Sequence, residues 1–119
     1  MSIIPVTASL LIGCYIGAGI VIILLGIPLM TGRVKPNGMY GFRTAKTFAS
    51  EPIWYAANRY LGREMVKAGR TVVICSTILL VINIVARFQL ATLAALGGAI
   101  ASFPVMVALV KSIIYVRDL

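Results

Sequence analysis

Three long runs without a charged side chain dominate the chain, separated by a basic middle and by one basic turn. From Val6 to Met30 lie 25 mostly apolar residues, which as a helix rise roughly 37 Å, enough to cross a bilayer with some tilt. The second run, Thr71 to Ala86, has sixteen residues bracketed by Arg70 and Arg87. That is short for a hydrocarbon core, but arginines at both ends can snorkel to the interfaces. The third run holds 23 residues from Phe88 to Val110 and closes at Lys111, with Ile113, Ile114 and Tyr115 carrying the helical pattern into the headgroups. The pattern predicts an all-α membrane protein with three transmembrane helices, at about 6–30, 71–86 and 89–110, forming a single membrane domain over 1–119.

Between the first and second runs, residues 31–70 have their own organisation. Pro36-Asn37-Gly38 signals a turn, since proline presets φ at one corner and Asn or Gly accepts the left-handed geometry of the next. Ser50-Glu51-Pro52 reads as a helix start, with Ser50 as N-cap and the acid in the first turn. From Ile53 to Arg70 the period is helical. At 100° per residue Ile53, Trp54, Ala57, Leu61, Met65 and Ala68 gather on one side, and Arg59, Arg63, Lys67 and Arg70 on the other. This predicts a cytoplasmic amphipathic helix lying in the membrane interface, apolar face down.

Composition sharpens the class. The 119 residues are 61% hydrophobic and 12% charged, where a soluble domain carries roughly a quarter charged, so a water-soluble globule is excluded. Three acids face eleven bases, for a net charge of +8. With the N-terminus outside, all of the bases but Arg87 fall on the cytoplasmic side, as Lys and Arg do beside short loops. The expected location is the cell (plasma or inner) membrane, multi-pass, N-terminus outside and C-terminus cytoplasmic. A cleaved signal peptide is the competing reading of the first run, but no basic side chain precedes it, and Gly32-Arg33-Val34-Lys35 reads as a stop-transfer flank.

Candidate chemistry is sparse. There is no His, and the three acids are Glu51, Glu64 and Asp118. The two glutamates read as ion-pair partners or a helix-start charge rather than general bases. Cys14 and Cys75 sit in apolar runs as small hydrophobes. No enzyme, cofactor or metal is called for. The bases of residues 33–70, interleaved with Tyr40, Phe42, Trp54, Tyr55 and Tyr60, pass a first test for nucleic acid. Retention at the inner face and attraction to anionic headgroups already account for them, so the bilayer is the expected partner and nucleic acid is not. Gly13 and Gly17 form a GxxxG pair, and Ala94, Gly97, Gly98, Ala101 and Ser102 a small-residue stripe. Both permit close approach within the chain or between copies in a homo-oligomer.

One run is more particular than topology requires: Pro36-Asn37-Gly38-Met39-Tyr40-Gly41-Phe42-Arg43-Thr44, then Thr47, Trp54, Asn58-Arg59 and Gly62. It resembles the core motif of the SdpI family of bacterial membrane proteins: an Asn, Gly-aromatic-Arg-Thr after a short gap, a second Thr three positions on, then Trp, His/Asn-Arg and Gly. Two departures stand out. Ala45-Lys46 replaces a common Pro-Trp, and Asn58 stands where His is frequent. Larger relatives also carry further spans upstream. The resemblance implies three spans with a cytoplasmic motif and a non-enzymatic role as an immunity or signalling protein that binds a toxin peptide, a lipid or a regulatory protein. The contrasting reading is a subunit of a small oligomeric transporter or channel. Asn37, Gly41, Arg43, Thr44, Thr47, Trp54, Asn58, Arg59 and Gly62 are then either a structural clasp or a docking patch. In the clasp reading Asn37 and Gly41 shape a turn, Arg43 bonds carbonyls or a lipid phosphate, Thr44 and Thr47 cap the helix, and Trp54 anchors it at headgroup depth.

Overall fold

A computed structural model describes residues 4–119 and contains three helices: α1 (Ile4–Met30), α2 (Glu51–Ala86) and α3 (Leu90–Arg117). All three are long and apolar enough to cross a membrane. The uncharged runs therefore do become helices, and each connection ends its helix by a recognisable device. At the end of α1, Gly32 adopts φ +71°, and the Gly32 and Arg33 amides donate to the Leu29 and Pro28 carbonyls at 3.2 and 3.0 Å. This is a Schellman closure, which needs a residue free to enter the left-handed region. At the end of α2, Arg87 is left-handed at φ 49° with its amide on the Asn83 carbonyl. The Asn83 Oδ1 takes the Phe88 amide at 2.9 Å, so only residues 87–89 link α2 to α3.

The second helix departs from the expectation. Residues 53–70 do not form a separate interfacial helix; they are the first half of one 36-residue helix that runs unbroken into the second span. Nothing between Arg70 and Thr71 interrupts it, because neither proline nor an unpaired cap residue falls there. The amphipathic period itself holds: Trp54, Ala57, Leu61 and Ala68 are buried, while Arg59, Arg63, Lys67 and Arg70 are exposed. What covers the apolar face is protein rather than the leaflet.

That covering is mostly α1, along a seam of glycines. Gly19 and Gly26 of α1 face Gly69 and Gly62 of α2, each pair spaced by two helical turns and so on one face. A Cβ on Gly62 would stand 2.3 Å from the Met30 nitrogen and 2.7 Å from the Gly26 carbonyl oxygen; one on Gly69 would stand 2.7 Å from the Gly19 carbonyl oxygen. The two backbones touch. In lipid, where burying apolar groups between helices adds little, such close approach supplies the packing and weak Cα–H···O contacts that hold helices together. The GxxxG pair singled out from the sequence is not part of this seam, since a Cβ on Gly13 or Gly17 would meet nothing within 4 Å. Gly97 of the α3 stripe does pack, against the Tyr15 ring.

Antiparallel α2 and α3 place the loop 31–50 and the C-terminal turn at one end of the bundle and the 87–89 link at the other. Nine of the eleven bases therefore lie in the half nearer the loop, with Arg70 just past the midpoint of α2 and Arg87 at the link. At the link end a small apolar core of Ala8, Ile12, Leu79 and Leu93 closes the bundle.

Candidate functional site

The residues of the loop motif come together as a clasp at the basic end. Asn37 builds the first turn by itself. Its Oδ1 accepts from the Met39 and Tyr40 amides at 2.9 and 2.7 Å, and its Nδ2 donates to the Lys35 and Tyr40 carbonyls at 2.7 and 3.1 Å. This is the Asx chemistry that makes Asn a turn residue. Arg43 donates to the Gly38 carbonyl across the same turn.

The turn then docks on α2 through Asn58, which is buried. Its Oδ1 accepts the Phe42 amide at 2.6 Å and its Nδ2 donates to the Trp54 carbonyl one helical turn back at 2.9 Å. Gly41 lets this happen: it sits at φ +111°, and a Cβ there would stand 2.6 Å from the Asn58 Oδ1. Trp54 fills the space beneath with no exposed surface, its Nε1 donating to the Val34 carbonyl at 2.9 Å and its ring stacked on Phe48 at 5.3 Å. Trp54 is thus a fully enclosed pin between loop and helix rather than an anchor among headgroups, because the loop folds over the position the indole would need to reach lipid.

The threonines also act otherwise than expected. Thr47 Oγ1 accepts the Thr44 amide at 2.8 Å and donates to the Thr44 carbonyl at 3.0 Å, and the Thr47 amide donates to Thr44 Oγ1 at 3.2 Å. They close a turn on each other, and the cap of α2 is Ser50, whose Oγ accepts the Ile53 amide at 3.3 Å. Arg59 folds back over Gly32, where a Cβ would meet its guanidinium at 2.8 Å. This puts a cation at the carbonyl end of α1, the favourable end for positive charge. Gly62 completes the motif as the closest point of the glycine seam.

Further members of the site lie outside the nine candidate residues. Tyr40 reaches back to donate its phenol to the Leu25 carbonyl of α1, and partial burial pushes that phenol above its ordinary value of 10.0. Lys46 donates to the Arg117 carbonyl at 2.8 Å, tying the loop to the end of α3. The Tyr60 and Tyr115 rings stack 4.2 Å apart. Below the clasp, Tyr40 and Gly41 roof an apolar cavity of about 250 Å³ walled by Leu61, Met65 and Leu109.

A family model described as the SdpI/YfhL protein family matches residues 33–116. This chain belongs to that family. No curated protein and no solved structure matches it. The matched region holds all nine motif residues together with α2 and α3 up to Val116; in this member the Asn37 turn, the Asn58–Trp54 pair and the Thr44–Thr47 pair are three hydrogen-bonded sets, which Arg59 and Gly62 join by packing. The departure at Asn58 is accommodated, since its carboxamide supplies both the acceptor for Phe42 and the donor for Trp54. At Ala45-Lys46 the lysine makes the tie to Arg117.

Proposed function

We propose that this SdpI-family membrane protein is a non-enzymatic immunity or signalling module that works by holding a toxin peptide or a regulatory protein at the basic end of its bundle. The observation that carries the reading is the dense hydrogen bonding of the buried and part-buried clasp residues. Asn37, Thr47, Trp54 and Asn58 spend their polar groups on holding the loop, while Arg33, Lys35, Arg43 and the side chains of Met39 and Phe48 remain exposed. A loop that only joins two spans has no need of such fixing, whereas a preorganised surface of cations and apolar side chains lowers the ordering cost of binding. The apolar cavity under Tyr40 adds a recess for an aliphatic or aromatic anchor of the partner. The base distribution supports a cytoplasmic clasp with the N-terminus outside.

A mixed-culture competition tests this. A strain lacking the protein is grown with its parent and complemented with the wild-type chain or with Asn58→Ala. The reading expects loss of the deletion strain and rescue by the wild type alone. Equal survival of all strains would count against immunity. The alternative, an oligomeric transporter subunit, is favoured by one observation: Gly13, Gly17 and Gly98 stand open to close approach by another helix. Solute flux in liposomes separates the two readings.

A further inference from the structure

Opposite the clasp cavity, α2 and α3 part to form a second recess of about 260 Å³. Glu64 and Lys111 face each other at its outer edge, Lys67 stands near the level of Val107 and Ala108, and Phe103 and Pro104 lie deeper. At the rim, Glu64 is buried with its side chain 8% exposed, and it holds two cations: the Lys67 Nζ at 3.3 Å from one oxygen and the Lys111 Nζ at 3.8 Å from the other. Both lysines remain more than half exposed at 66% and 53%. Two ammonium groups share one carboxylate, so the rim keeps a net positive charge. An ionisable group enclosed between membrane helices points to a functional site. The wall is formed by Phe103, Pro104, Val107 and Ala108 of α3.

Depth fixes what fits. A Cβ on Gly26 would meet the Met65 side chain at 2.9 Å, which sets Glu64 level with the last turns of the apolar run of α1, at the rim of the hydrocarbon slab. Phe103 lies eight residues below Lys111 along α3, roughly 12 Å deeper. A ligand filling the recess therefore carries an anionic group at the boundary and an apolar chain running inward. We infer that this recess is a binding site for one anionic phospholipid, its phosphate bound by the exposed sides of the Lys67 and Lys111 ammonium groups and an acyl chain laid against Phe103 and Val107. Glu64 acts as the positioning residue that draws the two lysines together from their inner side. This site is independent of the partner proposed for the clasp, from which Ala68 and Ala108 separate it.

The test is native mass spectrometry of the full chain, delipidated in detergent and titrated with phosphatidylglycerol, phosphatidylcholine or inorganic phosphate. The site predicts one phosphatidylglycerol per chain, retained in preference to phosphatidylcholine and not displaced by inorganic phosphate. Lys67→Gln with Lys111→Gln weakens that binding roughly thirty-fold, whereas the equal charge loss of Arg33→Gln with Lys35→Gln leaves it unchanged. Val107→Trp, which fills the recess with its charges intact, removes binding as well and covers the case in which the double lysine variant does not fold. Equal weakening by the two double variants would reduce the effect to general surface charge and overturn the site. So would retention of phosphatidylglycerol by folded Val107→Trp, or displacement by inorganic phosphate.

Discussion

The two seams of the bundle are built on opposite principles. Between α1 and α2 the glycine pairs bring backbone against backbone, with no room for a single methyl group. Between α2 and α3 the basic half is joined by long side chains, in the Tyr60–Tyr115 stack and the Glu64–Lys111 pair, and both recesses open along this second seam. The first seam fixes the frame on which the clasp is laid. The second leaves space that side chains can redistribute.

The largest expected effect breaks the first seam. Gly62→Ala drives a methyl into the Met30 backbone and costs about 3 kcal/mol or more, as overpacking against unyielding atoms does. Gly17→Ala, on the open face, is neutral or stabilising by up to about 1 kcal/mol from helix propensity. Thermal melts in one detergent compare the two. Similar losses for both would mean that the seam is misplaced.

Next comes the clasp. Asn58→Ala strands the part-buried Phe42 amide and loses the bond to Trp54, at a cost of about 1–3 kcal/mol. Because Trp54 is the single tryptophan, its emission reports this directly: a shift to the red is expected as water enters, and an unchanged spectrum would deny the coupling of loop and helix.

A smaller contrast lies between two arginines of one face. Arg59→Ala removes the cation from the end of α1 and costs about 0.3–1 kcal/mol, while Arg63→Ala, exposed with its guanidinium 6.0 Å from the Tyr60 ring centre, falls below that. Equal melting temperatures for the two variants would remove the Arg59 contact from the account. The smallest effect is that of Tyr40. Its phenol is raised in the folded state, so its contribution is fully present below pH 10 and declines as the pH climbs through the raised value. The difference in Tm between wild type and Tyr40→Phe should be flat up to that point and shrink above it; a difference that changes between pH 6 and 9 would contradict the assignment.

The apolar runs of α1 and α3, the Ser50 start of α2 and its stop at Ala86 were readable because each is set by local chemistry: length without charge, an N-cap serine, a basic residue closing a run. The Asn37 turn was readable for the same reason. The course of residues 53–70 was not. An amphipathic period shows that one face is covered without saying by what, and a leaflet and a neighbouring helix impose the same pattern. The partner of Trp54 was missed for a related reason, since an indole seeks one apolar and one polar neighbour whether in lipid headgroups or under a loop. The seven-residue spacing of Gly19 with Gly26 and of Gly62 with Gly69 was a signal present in the sequence; the nearer GxxxG pair drew the reading away from it. The Glu64–Lys111 pair spans two helices and leaves no local trace.

The continuity of α2 along α1 supports everything built at the basic end, and one distance tests it. Spin labels at positions 55 and 85, in a chain whose Cys14 and Cys75 are replaced by alanine, are measured in a lipid bilayer. One unbroken helix predicts about 45 Å between the labelled backbone positions at 1.5 Å per residue. A surface helix meeting a span at a right angle near Arg70 would give about 32 Å by the same rise, and that result would contradict the clasp and the seam together.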